Sequence, residues 1–168
     1  MTAGNSASDA LALERRAAFV CLSTLGEGGF PETRMLFNLK HFASRRGGGR
    51  LAAPFAGMEE DFSTYIGTNT SSRKTSQIRA DSRVCLYYSD SRFYRGLSVM
   101  GLLEEVTDRD VHRALWRRGW ESYYPGGPED PDFSVFRFRA DKARYYHGLA
   151  VLELDCAKGE AADGSEGR

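Results

Sequence analysis

The run Phe133-Ser134-Val135-Phe136-Arg137-Phe138-Arg139 alternates apolar and polar side chains. A period of two puts successive side chains on opposite faces of an extended chain, so this stretch is read as a strand. Similar β-prone runs recur at Phe19 to Leu25, Thr33 to Leu39, Phe62 to Thr68, Ser82 to Tyr88 and Gly96 to Val106. Lys142 to His147 and Ala150 to Leu154 extend the set. Gly26-Glu27-Gly28-Gly29-Phe30-Pro31 is a glycine-rich turn that makes a hairpin of the first two. Gly101, in the middle of a long run, predicts a bulge or a bend. The expected fold is mainly β with short helices. About six to seven antiparallel strands would curl into a closed or nearly closed barrel, which removes exposed edges.

A chain of 168 residues is long enough for one domain with a full-sized core, expected over 1–156. The polar, Gly-rich stretch 157–168 reads as a disordered tail. The 23 Lys and Arg are balanced by 23 Asp and Glu. That balance argues against a general nucleic-acid or membrane-surface binder, but leaves room for a local basic pocket. No run approaches the roughly 20 apolar residues of a membrane span. Met1 to Ser6 lacks the basic-then-apolar order of a signal peptide, so cytoplasm is the expected compartment. Cys21, Cys85 and Cys156 have no paired spacing, which gives no disulfide framework and no zinc motif. Cys21 and Cys85 lie in apolar runs and are expected to be buried. His41, His112 and His147 show no ligand spacing, so no metal site is expected.

The stretch Thr68-Asn69-Thr70-Ser71-Ser72-Arg73-Lys74 separates a strand from a short helix that ends near Arg79-Ala80-Asp81. Asn, Thr and Ser cap helices with side-chain oxygens, so the helix starts within Asn69 to Ser72. Arg73 and Lys74 then fall in the first turn, where the backbone dipole is already positive. A bound anion reverses the sign of that arrangement, which reads as a strand–turn–helix phosphate site. The plain alternative is a solvated helix start with two surface cations.

Two further helices are expected, over Asp9 to Ala18 with Ser8 or Asp9 as cap, and over Val111 to Trp120. Arg45 to Arg50 reads as a flexible connector and Leu51 to Phe55 as a weak strand. On the run Thr33 to Leu39, period two sets Arg34, Leu36 and Asn38 on one face and Met35, Phe37 and Leu39 on the other. Arg34 is then either a rim residue or a group that reaches an anion across a neighbouring strand.

These residues resemble the pyridoxamine 5′-phosphate oxidase-like, FMN-binding split-barrel family, and within it the general stress protein 26 branch. The likeness spans roughly Phe19 to Tyr146. It rests on the hairpin Leu22 to Pro31 running into Arg34-Met35-Leu36, on Thr68 to Lys74 followed by Ile78 to Leu86, and on Trp120 through Pro131. The resemblance implies a homodimer with FMN at the subunit interface. It implies that Arg34, Ser72, Arg73 and Lys74 hold the phosphate, with Thr68 and Asn69 beside the ribityl chain. Arg34, Met35, Leu36 and Phe37 would line the isoalloxazine, and Trp120 would come over the ring from the partner.

The chain also departs from the oxidases proper. A Lys follows their strand Arg by five residues; here that position is Leu39, with Lys40 next. Gly67 stands where an aromatic is usual, and Gly96 where a Gln is usual. Their C-terminal Arg-and-His segment has no counterpart around Tyr145-Tyr146-His147. FMN binding is therefore the expectation, and vitamin B6 oxidation is not. The expected function is a flavin-dependent oxidoreductase taking electrons from a small molecule or a nicotinamide donor. The alternative is a non-catalytic flavin-binding stress or sensor protein. No catalytic acid or base is identified, and Tyr145, Tyr146 and His147 are candidates by position alone.

Overall fold

The computed structural model describes residues 6–45 and 49–156. The expected tail at 157–168 and the middle of the connector, 46–48, lie outside the described residues. Seven strands form: β1 (Phe19–Leu25), β2 (Pro31–Phe37), β3 (Thr64–Asn69), β4 (Arg83–Asp90), β5 (Arg95–Val106), β6 (Phe133–His147) and β7 (Ala150–Asp155). The α-helices are α1 (Ala7–Arg16), α2 (Leu39–Ala43), α3 (Arg73–Ala80) and α4 (Arg109–Leu115).

All strand pairs are antiparallel, in the order β2-β1-β4-β5-β6-β3. The long strand β6 divides one of its edges between two partners. Phe133 to Phe138 pair with β3, and Lys142 to His147 pair with β7. The sheet is split there, and it is also open between its two end strands, β2 and β3. This is the expected mainly β, split-barrel architecture.

The bend foreseen at Gly101 exists. Met100 pairs with Lys142 and Gly101 with Ala140, which leaves Asp141 as an extra residue on β6. A Cβ on Gly101 would overlap the Arg139 carbonyl oxygen, so the bend requires glycine. The curl buries Leu22, Leu86, Leu97, Val99, Phe138 and Tyr145, and α1 packs on them with Ala10 and Leu13. A second cluster, built on Leu115, Tyr124, Phe133 and Val135, lies beside it with Trp116 and Trp120 at its margin. The start of β6 is buried on both faces, so its in–out alternation begins only at Phe136.

Several expected boundaries move, each for a local reason. Ser6, rather than Ser8 or Asp9, caps α1, in a reciprocal box with Asp9. β2 ends at Phe37 because Asn38 accepts from the His41 N–H (3.4 Å) and starts α2. The weak strand at Leu51 to Phe55 is instead a 3₁₀ segment. α4 stops at Leu115, so Trp116 and Trp120 are not on one helix. Cys21 and Cys85 are half-buried on the outward face of the sheet, rather than in the core.

Candidate functional site

The two open sheet ends meet α3 at one place. In the β1–β2 hairpin, Arg34 stands opposite Leu22, and Glu32 opposite Thr24. Arg34 reaches diagonally across β1. Its Nη1 donates to Thr24 Oγ1 (2.5 Å) and to the Glu32 carbonyl (2.8 Å). Its Nη2 donates to Gln77 Oε1 on α3 (2.9 Å). The Thr24 hydroxyl donates to that same Gln77 oxygen (2.6 Å). Arg34 therefore ties β2, β1 and α3 together. Burial pulls its pKa down, Glu32 opposes that, and Arg73 adds to it.

Ser72 is the N-cap residue of α3, but its side chain does not cap. Its hydroxyl donates backwards to the Asn69 carbonyl (2.8 Å), as does that of Thr75 (2.7 Å). The first turn carries no acidic residue either. Its N–H groups lack a side-chain acceptor and add to the positive end of the helix dipole. Lys74 is half-buried at this end. Burial and then the nearby Arg34 lower its pKa, while Asp132 opposes them. Among the described residues no carboxylate stands within ion-pairing distance of Lys74. Arg73 differs: its side chain is 79% exposed and pairs with Glu32 Oε1 at 2.6 Å. The two cations read together in the sequence are thus divided, one toward Arg34 and one onto a carboxylate.

Asp132 fixes the turn before α3. Its carboxylate accepts from Asn69 Nδ2 (2.9 Å) and from the Ser71 N–H (2.7 Å), which hold its pKa below the usual value. Tyr124 donates its hydroxyl to Asn69 Oδ1 (3.3 Å). The Thr68 hydroxyl is buried and has no hydrogen-bond partner among the described residues.

The other end of this region is aromatic. Trp120 packs within its own chain, with its ring centroid 6.4 Å from Phe37, 5.7 Å from Phe133 and 6.2 Å from Tyr124. A Cβ on Gly67 would stand 3.3 Å from the Trp120 ring, so this ring lies over the spot where Gly67 has no side chain. Met35 and Phe37 point outward and are exposed, while Leu36 turns in against the core. The region therefore joins Arg34, Thr68, Asn69, Ser72 and Lys74, with Arg73 at its rim; Phe37 and Trp120 form its aromatic end, and Phe37, like Met35, is on the face of β2 opposite Arg34.

Other candidates lie elsewhere. Lys40 is buried against Glu14 (3.1 Å) and donates to the Asp61 carbonyl (2.6 Å). Tyr145 is in the barrel core. The hydroxyls of Tyr146 and Tyr87 hydrogen-bond to each other on the outward face. A cavity of about 830 Å³ opens over Arg83, Met100, Arg139 and Asp141; it shares Thr24 with the region above but not Arg34 or Lys74. Thr24, Glu32, Gln77 and Asp132 were not singled out by the sequence. Gln77 carries a signal, four residues after Arg73 on the same helical face. Glu32 carries another, two residues before Arg34 on the same strand face. Asp132, 63 residues from the Asn69 it holds, carries none.

Comparison with known proteins agrees with this architecture. The solved structure of a Clostridium acetobutylicum protein, related to general stress protein 26 of B. subtilis and assigned to the pyridoxinephosphate oxidase family, is 27% identical. That likeness covers 89% of this chain and 93% of that one, with a TM-score of 0.68. A heme binding protein from Mycobacterium smegmatis shares the fold at 15% identity and a TM-score of 0.62, over 92% of this chain and 60% of that one. Protein bli-3 of Neurospora crassa is 30% identical over 108 residues, 60% of this chain. The match spans about half of that relative's length, 49%. The family described as pyridoxamine 5′-phosphate oxidase like matches residues 46–160, and the chain belongs to it.

Proposed function

We propose that this protein binds FMN as a homodimer and works as a flavin-dependent oxidoreductase. The observation that carries the proposal is Lys74, a half-buried cation with no ion-pair partner among the described residues, beside Arg34 at an uncapped helix start. A terminal phosphate supplies the anion that this arrangement lacks. The unpartnered Thr68 hydroxyl fits a polyol, which both donates and accepts. On this reading Arg34, Ser72, Arg73 and Lys74 hold the phosphate. Thr68 and Asn69 meet the ribityl chain, with Asn69 oriented by Asp132 and Tyr124. The β2 strand from Arg34 through Met35, Leu36 and Phe37 runs along the ring with its backbone groups at the polar edge, and Trp120 covers the ring. Bound FMN supplies the hydride and electron chemistry, and the protein supplies position and electrostatics.

The homodimer is supported by the outward face of the sheet. Phe19, Met35, Phe37 and Met100 are between 43% and 64% exposed there, the first three on the neighbouring strands β1 and β2 and Met100 on β5, beyond β4. An exposed apolar face of this kind marks an interaction surface. The electron donor is read as a small molecule or a nicotinamide. A second reading, a flavin-binding protein without turnover, draws on one observation. Tyr145, Tyr146 and His147 make no hydrogen bond to the residues around Arg34 and Lys74, so no acid or base is in hand.

The test is an FMN titration of the wild type and of Arg73→Ala with Lys74→Ala, with a visible spectrum of each as purified. A yellow wild type and a colourless double variant are expected. Contacts to a charged group are worth roughly 1.5–3 kcal/mol each, so affinity should fall on the order of a hundredfold or more. A wild type without affinity for FMN would end the proposal. NAD(P)H oxidation by the loaded protein separates the two readings.

A further inference from the structure

Glu32 stands where a phosphate would compete for it. Its carboxylate is 2.6 Å from the Arg73 guanidinium and 3.6 Å from that of Arg34. Its carbonyl accepts from Arg34 as well (2.8 Å). The seat is shaped for it: a Cβ on Gly26, across the hairpin, would fall 2.5 Å from Glu32 Oε1. Three cations, Arg34, Arg73 and Lys74, thus face two carboxylates, Glu32 and Asp132. Asp132 is committed to the turn by two hydrogen bonds. Among the described residues the Glu32 carboxylate has no such backbone tie; its side chain is held by the cations themselves and is 32% exposed.

We propose that Glu32 is a built-in competitor for the phosphate of the flavin, an inference that rests on the flavin reading above. In the ligand-free protein it neutralises Arg73 and part of Arg34. A phosphorylated ligand must displace it, and then meets its charge nearby. An unphosphorylated flavin leaves it in place. Glu32 therefore lowers affinity for FMN without touching affinity for riboflavin, and sets how strongly the protein prefers the phosphorylated form. The exposure of its side chain lets it swing to solvent without disturbing the core.

The experiment titrates FMN and riboflavin into the wild type and into Glu32→Gln, following quenching of flavin fluorescence. Removing one like charge and one exposed ion pair should tighten FMN by about tenfold. Riboflavin binding should be unchanged, or undetectable in both proteins. Gly26→Ala gives a second route, since it crowds the carboxylate and keeps its charge; it should also tighten FMN. If Glu32→Gln binds FMN no better, or tightens both flavins alike, the role of Glu32 is wrong while the flavin site stands. If neither protein binds FMN, the flavin reading itself fails.

Discussion

The Glu14 carboxylate lies 3.1 Å from the Lys40 ammonium, and both side chains are almost wholly sealed from solvent. Lys40 also donates to the Asp61 and Ser63 carbonyls, so the cation is satisfied. Glu14 is not: among the described residues neither of its oxygens has a hydrogen bond of good geometry. Burial, only partly offset by Lys40, pushes its pKa up to about 7. A carboxyl that is harder to ionise when folded stabilises the protein fully below its unfolded pKa, near 4.5. That contribution is lost as pH rises toward 7. Its ceiling is about 3 kcal/mol, from 1.36 kcal/mol per pKa unit. Glu14→Gln should flatten this part of the stability–pH profile, measured by urea unfolding between pH 4.5 and 8. Lys40→Met, which leaves the acid alone, should cost about 3–5 kcal/mol at pH 8 and less at pH 5.

Arg34 and Arg73 look equivalent as charges and are not equivalent as structure. Arg34 bonds Thr24, Gln77 and the Glu32 carbonyl across three elements. Arg34→Ala should therefore destabilise the protein by about 1–3 kcal/mol, whatever it does to ligand binding. Arg73 makes one exposed ion pair. Arg73→Ala should change stability by no more than about 1 kcal/mol. Chemical denaturation of the two ligand-free variants checks the contrast; equal losses would contradict it.

What was legible in the sequence followed from short-range chemistry. The alternating runs gave the strands, and Gly101 marked the bend, because side-chain period and backbone freedom act within a few residues. The start of α3 after Ser72 was legible in the same way. What failed depended on distant partners. The helix expected over Val111 to Trp120 places Trp116 and Trp120 four residues apart on it, yet the chain turns extended at Trp116. Both rings instead pack around Phe133, with centroids 5.3 and 5.7 Å away, and that burial outweighs helical spacing. Asn38, among apolar neighbours, fits the strand pattern in the sequence. It leaves the strand since its amide donates to the Glu14 and Ala17 carbonyls of the N-terminal segment. In the candidate site, Arg34 and Lys74 were visible as charges. Glu32 and Asp132, which decide which of those charges remain free, became visible only through the fold.

Trp120 and Gly67 form a matched pair. The ring lies 3.3 Å from the position of a Cβ on Gly67, and the Phe133 ring is equally close to it. Gly67→Ala should crowd both rings, cost about 1–3 kcal/mol, and shift tryptophan emission to the red as the ring is displaced. Trp120→Ala removes the ring from a partly buried cluster and should cost about 2–4 kcal/mol. The double variant should recover part of the Gly67→Ala loss, because the clash partner is gone. Thermal melts of the three variants give the coupling directly, and strict additivity would show that the contact does not matter.

Gly101 and Gly26 both lack room for a side chain, but the atoms that fill the space differ. At Gly101 the obstacle is the Arg139 carbonyl, part of the backbone of β6, with the Phe138 ring 2.8 Å away. Neither can retreat without undoing the bulge that lets β5 and β6 bend together. At Gly26 the nearest obstacle is the tip of Glu32, a flexible and partly exposed side chain. Gly101→Ala should therefore cost about 3 kcal/mol or more and reduce soluble yield. Gly26→Ala should stay within about 1 kcal/mol of the wild type, since its φ of −87° suits any residue. Melting temperatures of the purified variants decide between these outcomes. A stable Gly101→Ala protein would mean that the barrel bends by some means other than the extra residue at Asp141.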